Sequence, residues 1–118
     1  MSASSFRLDN LVALIDCNGI QADGKVVLDM EPVAGKWIAF GWNTQEIDGN
    51  DMQAIVGALR AARTTGGKPH AIVLRTLPGK GIATLETREK SHFIRVDADE
   101  WDRLAAELEA GAPGAGRG

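Results

Sequence analysis

Leu11-Val12-Ala13-Leu14-Ile15 is an unbroken apolar run that stops abruptly at Asp16-Cys17-Asn18-Gly19. Such a run, rich in branched residues and too short for a free-standing helix, reads as a strand buried on both faces of a parallel sheet. Sheets of that kind need helical crossovers, so the feature commits the chain to an α/β fold. It also places oxygen donors where ligands of open α/β sheets bind, just beyond the carboxyl ends of the strands. Asp16 and Asn18 are hard donors, suited to Mg²⁺ or Ca²⁺ more than to zinc, and Gly19 lets a backbone carbonyl approach the same ion.

The rest of the chain alternates as that fold requires. After the strand at about residues 10–16, Glu31-Pro32 opens a helix with Val33, Trp37 and Phe40 on one face, and Gly41 ends it. Trp42 to Ile47 forms a second strand. Asp48-Gly49-Asn50-Asp51 has oxygen enough for a cation, but its spacing does not fit a calcium loop, and it supplies a turn and N-cap residues for the next helix. In that helix Met52, Ile55, Val56, Leu59 and Ala62 are expected to face the core, and Gly66-Gly67 stops it. His70 to Thr76 is a third, central strand with His70 in a structural role, and Leu77 to His92 is a long connection. Its Gly79-Lys80-Gly81 is either a simple turn or a cradle of amides and an ammonium for an anion. Phe93 to Val96 is expected to form a short edge strand. Trp101, Leu104, Ala105 and Leu108 share a face of the last helix, with residues 111–118 as a disordered tail. The three tryptophans read as core or interface anchors.

A chain of 118 residues holds one modest core, and a net charge of −3 without a basic patch argues against nucleic-acid or anionic-membrane binding. Cys17 is the single cysteine, which excludes an internal disulfide and suits a cytoplasmic compartment. No stretch approaches the roughly 18 apolar residues of a membrane helix.

Taken in order, the motifs resemble the thiamine-diphosphate-binding region of transketolases, in particular the N-terminal subunit found where the enzyme is split between two polypeptides. The resemblance rests on Leu8 to Gln21, on Glu31-Pro32-Val33-Ala34-Gly35-Lys36-Trp37 with Phe40-Gly41-Trp42, on Glu46 to Asp51, on Gly67-Lys68-Pro69 and on Lys80-Gly81. It implies a partial three-layer parallel sheet over residues 1–110, with thiamine diphosphate and Mg²⁺ as cofactors. It further implies Asn18 and the Ile20 carbonyl as metal ligands, and Asn18, Gly19, Ile20, Gln21 and His92 as cofactor contacts. His92 stands near the family's histidine that faces diphosphate and substrate, which would make it catalytic; Phe93 in place of the usual glycine leaves an exposed loop histidine as the other reading. Asp16 either takes part or satisfies nearby amides.

The reaction implied is two-carbon ketol transfer between sugar phosphates, as in the pentose phosphate pathway. An oligomeric assembly is implied too, with a companion pyrimidine-binding C-terminal subunit as partner. The family's Gly-Asp-Gly element, whose aspartate is a principal metal ligand, does not occur in the sequence, and Met1 to Arg7 resembles the end of the helix that follows it. A non-catalytic fragment or accessory protein is therefore the alternative. A flavodoxin-like or receiver-type module ranks last, since the acidic cluster and phosphate loop of those folds are missing.

Overall fold

The computed structural model describes residues 1–21, 24–26, 28–88 and 95–111. They fall into two compact units, one of residues 1–19 and 28–76, the other of residues 20–21, 24–26, 77–88 and 95–111.

The first unit is built on three parallel strands, β1 (Val12–Cys17), β4 (Asn43–Asp48) and β5 (His70–Arg75), in the order β1-β5-β4. The last strand in sequence is thus the middle one in space. His70 pairs in register with both Val12 and Asn43, and Arg75 with both Cys17 and Asp48. The ladder is started by the His70 amide donating to the Leu11 carbonyl at 2.9 Å and the Asn43 amide to the Pro69 carbonyl at 2.9 Å. Four consecutive residues of β5, His70 to Val73, are buried, which alternation along a strand allows only when both faces are covered. The His70 ring, 3 % exposed, donates from Nε2 to the Thr65 carbonyl at 2.7 Å, a structural role as expected.

Helix α2 (Val33–Ala39) packs on β4 and β5, and α3 (Met52–Thr64) on β4. Pro32 stands as the N-cap of α2. Its Trp37 meets Trp42 edge to face, with centroids 4.7 Å apart, so these two are anchors of the unit. Asp51 caps α3 by accepting the Gln53 amide at 2.8 Å, and the Asp48 carboxylate accepts the Asn50 amide at 2.8 Å. Asp48 to Asp51 is therefore a turn and cap. A short helix, α1 (Ser2–Ser5), precedes the sheet.

Two expectations about burial are corrected. Strand β1 is not buried on both faces: it alternates half-buried with exposed residues, Leu14 being 53 % exposed, because it lies at an edge of the described sheet while β5 holds the centre. Helix α3 is turned about its axis from the expected face. Of that face Ala62 is buried and Ile55 half-buried, but Met52, Val56 and Leu59 are exposed, and Ala58 is buried instead. Small side chains let the helix axis approach the strands, and the Gln45 amide donates to the Ala58 carbonyl at 3.2 Å on that side.

The second unit contains a two-stranded antiparallel pair, β2 (Ile20–Gln21) and β3 (Gly24–Lys25), with helices α4 (Ala83–Glu86) and α5 (Ala98–Gly111). Thr84 of α4 donates its hydroxyl to Oε1 of Glu107 at 2.5 Å and its amide to Oε2 at 3.1 Å, and an Arg88–Glu100 ion pair ties the connection to the start of α5. Of the face expected to be buried on α5, Leu104 is, but Trp101 and Leu108 are exposed and the tryptophan is no core anchor. Arg95 and Val96 are not in a strand; the remainder of that expected strand and the tail from residue 112 lie outside the described residues.

Candidate functional site: the carboxyl edge of the parallel sheet

All three strands are six residues long and stop at one level, so the residues that end them are neighbours. Because side chains alternate, two sets form on opposite faces of this edge.

On one face Arg75 is held by two carboxylates. Its Nη1 and Nη2 donate to the two oxygens of Glu31 at 2.5 and 2.9 Å, and its Nε donates to Glu46 at 2.8 Å, from the diagonal position on the adjacent strand. Glu31 also accepts the Val33 amide at 3.1 Å. The Arg75 hydrogen bonds, with that amide, hold the Glu31 carboxyl down at about 2, and the same carboxylates hold the guanidinium more firmly protonated. Beside it, burial pushes the Cys17 thiol up, and Arg75 only partly offsets this, so Cys17 is a small half-buried side chain rather than a nucleophile.

On the other face Thr76, the residue after β5, donates its hydroxyl to the Asp16 carboxylate. Gly49, the residue after β4, donates its amide to the Arg75 carbonyl at 2.8 Å. A methyl at Gly49 would stand 2.5 Å from Cγ2 of Thr76 and 2.8 Å from Cβ of Leu74, closer than atoms can pack. Glycine is required there by space.

Asn18 follows β1, half-buried, and Gly19 turns the chain with φ +71°. Ile20 and Gln21, half-buried and exposed, form β2 in the second unit. His92 lies outside the described residues. Among the described residues there is no cluster of three His, Cys, Asp or Glu side chains able to hold a metal. Asn18 carries an amide oxygen and Ile20 a backbone carbonyl, each a hard donor by itself. In the second unit, the Gly79-Lys80-Gly81 loop already holds a carboxylate: the Gly81 amide donates to Glu86 at 2.9 Å, and Lys80 lies 3.6 Å from the same oxygen.

Sequence reasoning misses Glu31, Arg75 and Thr76. Glu31 reads there as a helix opener, and Arg75-Thr76 as the end of a strand. For Arg75 and Thr76 the signal is equal strand length, which makes strand ends neighbours across long stretches of sequence, as in the 60 positions that separate Asp16 from Thr76; Glu31, ahead of α2, carries no such signal.

Comparison with known proteins gives this edge its context. Residues 1–111 match the family model described as transketolase, thiamine diphosphate binding domain. The chain belongs to the transketolase family. A transketolase family protein of Sinorhizobium fredii is 45 % identical over 114 residues, which are 94 % of this chain and 41 % of that protein. A 6-deoxy-6-sulfo-D-fructose transketolase subunit of Clostridium sp. is 40 % identical over 111 residues, covering 92 % of this chain and 40 % of the relative. Among solved structures, the transketolase of Campylobacter jejuni superposes with a TM-score of 0.69 at 26 % identity, over 93 % of this chain and 21 % of that one. The chain thus spans about two fifths of the length of these curated relatives. The fold expected from the sequence, a partial α/β sheet of the thiamine-diphosphate-binding type, is the one observed. No helix of the described residues is long and apolar enough to cross a membrane.

Proposed function

We propose that this chain, over residues 1–110, supplies part of a thiamine-diphosphate and Mg²⁺ site of a transketolase that acts in the cytoplasm and carries out two-carbon ketol transfer between sugar phosphates. The observation that carries the reading is the Asn18-Gly19 turn at the carboxyl edge of β1, in a chain of the thiamine-diphosphate-binding family. Asn18 and the Ile20 carbonyl are the proposed metal ligands, with Gly19 and Gln21 beside the diphosphate and His92 facing diphosphate and substrate. Two ligands do not complete the octahedral shell of Mg²⁺; diphosphate oxygens, water and groups that the 118 residues do not contain supply the others. Thiamine diphosphate, when bound, provides the electron sink for cleaving a bond beside a carbonyl. The part played by these residues is to neutralise and orient its diphosphate.

The companion proposed is a pyrimidine-binding subunit, in an oligomer. That reading is supported by relatives named as subunits, among them one of the apulose-4-phosphate transketolase of Phocaeicola vulgatus, 34 % identical over 110 residues. The names of that protein and of the Clostridium subunit point to sugars outside the pentose phosphate pathway, and the same breadth is proposed here.

The test is a calorimetric titration of the chain, with its companion subunit, by thiamine diphosphate in Mg²⁺. Saturable binding is expected, weakened at least about tenfold by Asn18→Ala, the loss that even outer partners of a metal site carry. If no heat of binding is found with the companion present, the chain is the non-catalytic accessory protein instead.

A further inference from the structure

Thr76 sits where three strand ends meet. Its hydroxyl donates to Asp16 in β1, its own chain leaves β5, and its methyl occupies the space that Gly49, leaving β4, keeps open by having no side chain. The Gly49 amide closes the arrangement by donating to the Arg75 carbonyl at 2.8 Å. Asp16 itself is exposed, so the Thr76–Asp16 bond lies at the solvent edge, where a hydrogen bond adds little to stability. What it does determine is direction. Asp16 is two residues before Asn18, and a carboxylate released at that point can rotate to water or compete for a cation, carrying the following turn with it.

We propose that Thr76 is a positioning residue for the proposed cofactor site: with its methyl seated in the Gly49 gap and its hydroxyl on Asp16, it fixes the end of β1 and so the direction in which Asn18 presents its amide oxygen. The inference rests on the cofactor reading given above. A side chain placed this way acts as the outer partners of metal ligands do, through orientation and not through contact with the ion.

The experiment uses the full chain labelled with ¹⁵N, in three forms: unchanged, Thr76→Val, which keeps the shape and removes the donor, and Thr76→Ser, which keeps the donor. Backbone order parameters are measured first without ligand. In the unchanged chain Cys17, Asn18 and Gly19 are expected in the rigid range of about 0.85, falling below about 0.6 in Thr76→Val and restored by Thr76→Ser. With the unlabelled companion subunit added, Mn²⁺ with thiamine diphosphate is then titrated in, and paramagnetic broadening around Asn18 is followed. Half-broadening should need roughly tenfold more Mn²⁺ for Thr76→Val and be unchanged for Thr76→Ser. Asp16→Ala removes the acceptor from the exposed side, needs no repacking, and must loosen the same three residues. Order parameters that stay equal in Thr76→Val and Asp16→Ala overturn the positioning role while leaving the cofactor reading intact. An unchanged chain that shows no broadening with the companion subunit present overturns the cofactor reading, and the role of Thr76 in it.

Discussion

Glu31 keeps its negative charge at pH values where an ordinary glutamate is neutral, because Arg75 and the Val33 amide bind only the ionised form. A carboxyl lowered in the folded chain contributes stability that is fully present above its ordinary value of 4.5 and is lost as pH falls toward about 2. Glu31→Gln should therefore lower the thermal midpoint near neutral pH, with the gap to the unchanged chain closing between those two values. Melting curves across that range check it; a gap that stays constant down to the acid end would assign the loss to packing. Gly49 gives the second residue-level prediction. A methyl group there collides with Thr76 and Leu74, so Gly49→Ala should cost about 1–3 kcal/mol, read from urea unfolding. Paired with Thr76→Ser, which removes the methyl on the other side, the cost should shrink, since contacting sites do not add.

The elements differ in how far their residues announce them. β5 is legible as a central strand because its apolar run is continuous, and α3 is legible as a helix because its Asp51 cap and 3.6-residue repeat agree. Their orientation is less legible. Hydrophobicity ranks Met52, Val56 and Leu59 above Ala58, yet close approach to β4 selects the small residue. In β1 the same bias reads Leu14 as buried, since an apolar residue signals a capacity for burial and not the presence of a covering layer. The candidate site divides in the same way: Asn18-Gly19 stands out as a polar break after an apolar strand, whereas Thr76 and Arg75 matter only through neighbours distant in sequence. One pair of substitutions tests the helix orientation. Ala58→Leu should destabilise by about 1–3 kcal/mol through overpacking, while Met52→Gln stays within about 0.5 kcal/mol, both by urea unfolding. The reverse ranking would show that the apolar stripe faces the sheet.

At the scale of the molecule, the first unit concentrates its burial in one strand. His70, Ala71, Ile72 and Val73 are all covered, while β1 and β4 each present an outer edge among the described residues. Exposed Leu14, Leu28, Ile38 and Met52 add apolar surface around that core. Unpaired edges with apolar neighbours favour association, so the chain expressed alone is expected to be sparingly soluble, more so as salt weakens the repulsion from its net charge of −3. Light scattering against ionic strength measures this.

The shared level of the three strand ends also acts as a reading frame. Asp16 and Thr76 meet on one face, and Glu46 and Arg75 on the other, only because the residue pairs are offset by an even number across the ladder. One residue inserted near the end of β5 would exchange the two faces, pointing a cation at Asp16 and a hydroxyl at Glu46, with the apolar middle of the strand untouched. The sheet's core tolerates that error; its edge does not. Indels in this strand are thus constrained by the chemistry at its end more tightly than by the packing at its centre.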